Sequence, residues 1–232
     1  MPAFLAGETN VKRAYYGQPG VVERYLWLRY GGRGGANVAR REKALFFACL
    51  GDPPPAGLIA DLGCGPGRAA EWFAPRTLIG VDRSAAMLGA ARAKYRWVVQ
   101  ADLMRLPFRP GVLALAFSLR VWFHLADPAP VAREVARSLR QGGRWIFEIY
   151  RWSFQPVGFA RTGGRNYHYS PEEATRIGAI HGLAVEKVCS DFLLPPSFLR
   201  WTSFFSAFEE RLARRMSFAG KMVHLLLAAK TS

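Results

Sequence analysis

Ile59-Ala60-Asp61-Leu62-Gly63-Cys64-Gly65-Pro66-Gly67-Arg68 is the stretch on which the reading of the fold turns. A short apolar run ends in a carboxylate and then in three glycines at alternate positions. Glycine at the end of a strand lets the backbone take left-handed angles and leaves no side chain in the way of a ligand. Outward from this turn, short apolar runs alternate with helical patterns. Strands are expected at 58–60, 78–81, 97–99, 112–117 and 145–149, with helices around 68–74, 84–94 and 130–139. Strands that are apolar throughout and separated by helices belong to a parallel sheet covered on both faces.

The flanks extend this core. Two helices are expected at 21–30 and 37–50, broken by Gly31-Gly32-Arg33-Gly34-Gly35, with Asn37 as N-cap of the second. After a loop-rich stretch at 152–167, Ser170-Pro171-Glu172-Glu173 is a helix start, with serine as cap, proline at the first position and two carboxylates in the first turn. A strand at 184–189, a helix at 198–215 and a last strand at 222–228 follow, the final pair placed to close the sheet antiparallel. The expected organisation is one domain over 1–232: a helical cap at 1–50, a ligand-binding core at 56–150, a lid over the acceptor site at 151–168, and the rest of the sheet at 169–232.

Half of the 232 residues are apolar, which excludes disorder. Neither a basic leader followed by an apolar run nor a bilayer-length apolar stretch is present, so the expectation is a soluble, cytoplasmic protein. Cys49, Cys64 and Cys189 are odd in number and form no C-x-x-C pair, so neither a disulfide framework nor a metal site is expected. The formal charge of +15 would attract a polyanion, nucleic acid or anionic membrane. The excess is spread evenly along the chain, however, and a solvated arginine-rich surface is the favoured account.

Asp61 is the first of three acidic strand ends. Gly80-Val81-Asp82 puts a carboxylate 21 residues further on, suited to accept hydrogen bonds from ribose hydroxyls, and Asp102 in Ala101-Asp102-Leu103 is placed to accept an adenine amino group. The glycine turn alone admits a dinucleotide or S-adenosylmethionine. Two details favour the second. Arg68 stands where the dinucleotide pattern has its third glycine. Asp61 suits a cationic ammonium and would repel a pyrophosphate.

With these residues in hand, the chain resembles the class I S-adenosylmethionine-dependent methyltransferases, in the subgroup that includes small-molecule and quinone-type enzymes. The likeness runs from about Ala56 onward, through Asp61 to Gly67, Gly80-Val81-Asp82-Arg83-Ser84-Ala85-Ala86-Met87-Leu88, Ala101-Asp102-Leu103-Met104-Arg105-Leu106-Pro107-Phe108, Glu134 to Gly143, and Tyr169 to Glu173. It implies a Rossmann-like α/β fold, a seven-stranded sheet that is parallel except for its last strand, with helices on both faces. It also implies S-adenosyl-L-methionine as cofactor and S-adenosyl-L-homocysteine as product. The implied binding residues are Asp61, Gly63, Cys64, Gly65, Gly67, Asp82, Arg83, Met87, Ala101, Asp102, Leu103 and Ser118. The fourth strand departs from the family's Phe-Asp opening, with Val112-Leu113-Ala114. Ser118-Leu119-Arg120-Val121 stands where many base-directed enzymes carry Asn-Pro-Pro-Tyr, which disfavours nucleobase nitrogen as acceptor.

The acceptor is expected to be a small or lipid-like molecule, bounded by residues 11–35, 120–125 and 150–168. His124 is the candidate base, against the alternative of a histidine packed in its loop. Tyr15, Tyr16, Arg120 and Trp122 are candidate substrate contacts, and the two tyrosines serve equally well as anchors of an N-terminal helix. Cys64 is read as a small residue packed in the turn. Trp201, Phe204, Phe205, Phe208 and Leu212 form one face of the 198–215 helix, expected to pack on the sheet or to meet a membrane or lipid-like acceptor, with Glu209, Glu210, Arg211, Arg214 and Arg215 on the other side.

Overall fold

A computed structural model describes residues 15–16, 18–51, 53–73, 78–151, 166–194, 199, 203–216 and 221–231. Its centre is one seven-stranded sheet of order β3-β2-β1-β4-β5-β7-β6. The strands are β1 (Leu58–Leu62), β2 (Leu78–Asp82), β3 (Trp97–Gln100), β4 (Leu113–Ser118), β5 (Leu139–Tyr150), β6 (Leu183–Asp191) and β7 (Val223–Lys230). The pairs among β1 to β5 are parallel, and β7 runs antiparallel to both β5 and β6. The expected Rossmann-like architecture is therefore present.

Residue alternation builds two cores from one sheet. Ala60, Leu62, Ala116, Trp145, Phe147, Leu226 and Ala228 enter one, against helices α4 (Ala129–Ser138) and α5 (Pro171–Ala179). Ile59, Leu115, Phe117, Ile146, Leu225 and Leu227 enter the other, under Phe46, Cys49 and Leu50 of α2 (Gly32–Leu50). That second face also carries α6 (Ser203–Arg215), in contact with α2. α1 (Pro19–Tyr30) packs on α2 and on α3 (Ala85–Ala91), which brings the N-terminal cap to the carboxyl end of β2. At α5 the expected start is realised as a full capping box: Ser170 accepts from the Glu173 N–H, and the Glu173 carboxylate accepts from the Ser170 N–H.

Three local expectations are corrected. The helix at 68–74 is absent; the chain makes turns through residues 65–69 and a single 3-10 turn at Ala70–Trp72. Gly67 has φ of 80°, outside the helical region, and the Arg68 side chain is drawn into a buried ion cluster described below. Asn37 is not a cap but lies inside α2, where its Oδ1 accepts from Arg40. The helix begins at Gly32 because Gly35 sits against the backbone of Tyr30, where a Cβ would stand 2.3 Å from the Tyr30 carbonyl carbon. In the 198–215 helix the described positions depart from their expected sides: Phe208 is 63% exposed and Leu212 42%, whereas Glu209 is buried at 3%. Glu209 binds the buried Arg41 of α2 and caps the Leu193 and Leu194 N–H groups, so a charge pairing holds this side of α6 inward. Trp201 and the side chains of Phe204 and Phe205 lie outside the described residues, as does most of the expected 151–168 lid. Among the described residues no helix is long and apolar enough to cross a membrane, and no cluster of three metal-ligating side chains occurs.

Candidate functional site

The parallel strands end together on one edge of the sheet, and the sequence-expected residues fall along it. At β2 the Asp82 carboxylate accepts from the Gly65 N–H through Oδ2 and from the Ser84 N–H through Oδ1, both at 2.9 Å. Burial pushes its pKa up, opposed by those two N–H groups. Each oxygen of a carboxylate accepts two hydrogen bonds, so both retain capacity toward a hydroxyl-bearing ligand. The glycine turn is left-handed at Gly63, Gly65 and Gly67, with φ of 79°, 53° and 80°. A Cβ at Gly63 would stand 2.5 Å from Val121, and one at Gly67 2.8 Å from Tyr95, whereas at Gly65 nothing lies within 4 Å. The turn is clamped on two sides and open at its middle, a cradle of bare backbone.

Asp61 lies beneath this cradle. It is only 4% exposed, and Tyr95 Oη donates to it at 2.6 Å. Burial raises its pKa to about 7, against the opposing pull of the Tyr95 hydrogen bond and Arg68. Cys64 is tucked under the turn against Gly80, its thiol pushed up by burial, which fits the packed-residue reading. Ala101 donates its N–H to the Asp82 carbonyl, and Gln100 reaches the Arg83 carbonyl. Asp102 is exposed, and its Oδ1 accepts from the Met104 N–H. Leu103 approaches Gly63, and Met87 is buried in the first turn of α3. Ser118 is buried with its Oγ bonded to Trp145 Nε1 at 3.2 Å, so at this position the backbone alone is left to meet a ligand.

Tyr16 spans the two ends of the crevice. Its carbonyl accepts from Ser84 Oγ at 2.9 Å beside Asp82, and its ring meets His124 edge-on at 5.9 Å. Tyr15 packs edge-on against Tyr16. The structure thus brings Tyr16, Ser84 and His124 together, though they are separated by up to 108 positions in the chain. Trp122 is not part of this group. It is 1% exposed and stacks on Phe147 at 4.5 Å, so the expectation of a substrate contact is replaced by a core role.

Beyond β4 the edge changes character. Arg120 holds φ of 58°, a left-handed angle costly for an arginine. Its N–H donates to Glu148 Oε2 at 2.7 Å, and its guanidinium pairs with Glu42 of α2. Arg68 pairs with the same Glu42 at 2.9 Å and lies over the Tyr30 ring at 4.5 Å. Tyr150 Oη donates to Glu148 Oε1 at 2.9 Å. Burial alone would raise the pKa of Glu42, but the two guanidiniums outweigh it and hold the group below the ordinary range. Glu148 is pushed up, first by burial and then by the neighbouring Glu42 charge. A small cavity opens among Glu42, Arg68, Leu119 and Glu148. Of this cluster the sequence reading singled out only Arg120, and it used Arg68 merely to discriminate between ligands. Glu148 alone had a visible signal, a carboxylate within the otherwise apolar Trp145-Ile146-Phe147-Glu148-Ile149 strand.

Comparison with known proteins agrees with this geometry. Residues 60–147 match the family model described as "Methyltransferase domain". The malonyl-[acyl-carrier protein] O-methyltransferase of Legionella pneumophila is 35% identical over 98 residues, 38% of this chain and 34% of that protein. The tRNA (carboxymethyluridine(34)-5-O)-methyltransferase of Xenopus tropicalis is 31% identical over 113 residues, 47% of this chain and 17% of that protein. The match thus spans about a third of the length of the first of these curated relatives and about a sixth of the second. A crystal structure of a Thermotoga maritima methyltransferase, described as a possible histamine N-methyltransferase, superposes with a TM-score of 0.67 over 95% of this chain and 100% of that one. At 17% identity it speaks for the fold. The matched segment contains Asp61, the glycine turn, Asp82 and Asp102, so the residues of this site fall within the part of the chain that is similar to methyltransferase domains.

Proposed function

We propose that this chain transfers a methyl group from S-adenosylmethionine to a small or lipid-like acceptor. The observation that carries the reading is the Asp82 carboxylate, fixed by Gly65 and Ser84 at the open middle of a bare-backbone cradle. Those residues fit the cofactor: Asp82 would hold the ribose, Asp102 the adenine amino group, and Gly63 to Gly67 the methionine portion. When bound, the cofactor supplies a methyl already activated on a sulfonium sulfur.

What remains for the protein is mostly placement. A nucleophile held in line at near contact, with water excluded, gains the larger part of its acceleration from orientation. Tyr16 lies between the Asp82 and His124 ends of the crevice and is the residue positioned to close it. His124 would take the proton where the acceptor is a hydroxyl, an acidic carbon or a protonated amine. Arg120, fixed at the end of β4, would bound the acceptor side.

Calorimetric titration with S-adenosylmethionine and with NAD tests the donor. Binding of the first alone is expected; binding of NAD alone would return the turn to the dinucleotide reading. Turnover in His124→Ala tests the base, with a loss of kcat at unchanged cofactor affinity expected and unchanged turnover overturning the assignment. The charge of +15 supports a second reading, a nucleic-acid acceptor. Salt-sensitive RNA binding coupled to methyl transfer would favour it, and cofactor binding with no turnover on any acceptor class would favour a non-catalytic, cofactor-binding protein.

A further inference from the structure

Two of the three cysteines meet far from the crevice, where α2 lies across the second face of the sheet. Cys49, in the last turn of α2, is 1% exposed, and its Sγ stands 3.5 Å from the Leu225 carbonyl. Leu225 of β7 is the register partner of Cys189 on β6. Cys189 packs into the same cluster as Phe46, Cys49 and Leu225, which puts its side chain on the face that α2 covers. Two residues earlier and on the same face, Lys187 Nζ donates to the carbonyl of Ala48, the neighbour of Cys49, at 2.6 Å. The two cysteines thus share one packed cluster between α2 and the β6–β7 pair. Neither belongs to the methyl-transfer site, and Cys64, the third thiol, is buried under the glycine turn on its own.

We propose that Cys49 and Cys189 form an oxidant-sensitive two-cysteine site, which a peroxide closes into a disulfide between α2 and β6. The partly exposed Cys189 is the reacting sulfur. Its contact with Cys49, and then the Lys187 ammonium, bring the thiol down to about 7, while the same contact pushes Cys49 up. A thiolate at neutral pH is the nucleophilic form. It attacks one peroxide oxygen and breaks the O–O bond, giving a sulfenic acid and hydroxide, which leaves as water with a proton. The Cys49 sulfur then forms the S–S bond and displaces the sulfenic hydroxyl, which leaves with the Cys49 proton as a second water. Two thiols and one peroxide thus become one disulfide and two waters, the sulfurs supplying two electrons. The new bond would tie to β6 the helix whose Glu42 holds Arg68 and Arg120.

The test treats the whole folded chain with hydrogen peroxide, removes the peroxide, unfolds the chain in denaturant to alkylate the remaining thiols, and maps the digest by mass spectrometry without reduction. The expected product is a Cys49–Cys189 linked peptide, lost on treatment with dithiothreitol, with Cys64 alkylated. In Cys49→Ser a cyclic diketone should trap a sulfenic acid at Cys189, and in Cys189→Ser the Cys49 thiol should stay alkylatable. Absence of the linked peptide while Cys189 proceeds to sulfinic acid would overturn the proposal, as would Cys189 and Cys49 both remaining reduced under conditions that oxidise a free model thiol. Because Cys49→Ser changes one atom in a packed site, its trapping result reads the reactivity of Cys189 separately from the closing of the disulfide.

Discussion

The crevice has two ends built on different principles. On the proposed donor side, β1 to β3 present backbone: a glycine cradle, two N–H groups turned to Asp82, and a carboxylate at or just past the end of each strand. On the acceptor side, β4 and β5 present buried side-chain charge: Arg120 and Arg68 joined through Glu42, with Glu148 and Tyr150 behind them. Backbone sites are local, since strand, turn and helix start are consecutive in the chain. The charged cluster is assembled from Tyr30, Glu42, Arg68, Arg120, Glu148 and Tyr150, which no short motif contains. On the proposed function the donor end is therefore a matter of cofactor affinity, and the charged end is in the first place a matter of stability.

The largest effect should come from breaking the acceptor-side cluster. Glu42→Ala leaves two buried guanidiniums facing each other without their shared carboxylate. Removing one partner of a buried ion pair costs about 3–5 kcal/mol, to be read as a fall in the denaturant midpoint. Glu42 has a depressed pKa in the fold, so its contribution is present above the unfolded carboxylate range and lost as pH falls through the lower folded value. The Glu42→Ala stability deficit should accordingly shrink in acid, and a deficit independent of pH would show that packing, not charge, holds the cap.

Asp82→Ala should cost less stability than Glu42→Ala, since it leaves only the Gly65 and Ser84 N–H groups unpaired, while cofactor affinity measured by calorimetry falls by roughly 100-fold, the loss of the hydrogen bonds from the ribose hydroxyls to a charged acceptor. An equal loss of stability would erase the contrast between the two ends.

The smallest effect sharpens the donor side. Asp61, its pKa raised to about 7 by burial, is partly protonated at neutral pH. A bound ammonium favours its ionised form, so binding releases a proton and affinity should rise as pH increases. From pH 6 to pH 7.5 the expected gain is about eightfold, and Asp61→Asn should flatten it. A flat wild-type profile would mean that Asp61, closed off beneath the turn by Tyr95, does not sense the ligand's charge.

Legibility in the sequence followed the same division. Asp61, Gly63, Gly65, Gly67 and Asp82 were readable because they fall in short strand-then-turn motifs, and the Ser170 capping box because its partners lie three residues apart. Phe208, Leu212 and Glu209 were assigned to the wrong sides of their helix: periodicity identifies an amphipathic stripe, but Arg41 on another helix drew Glu209 inward. Trp122 looked like a loop residue beside an acceptor and is instead stacked on Phe147 of the next strand.

The sequence by itself determined the alternation of strands and helices, the glycine cradle and the acidic strand ends, because period, backbone freedom and hydrogen bonding within a turn are local properties. Only the tertiary structure decided that Arg68 leaves the helix expected of it, that Arg120 turns inward to Glu42, and that Tyr16 reaches from Ser84 to His124. Those outcomes depend on which charges are buried together and which rings touch, and burial is set by the packing of segments that lie far apart in the chain, from Glu42 and Arg68 to Tyr16 and His124.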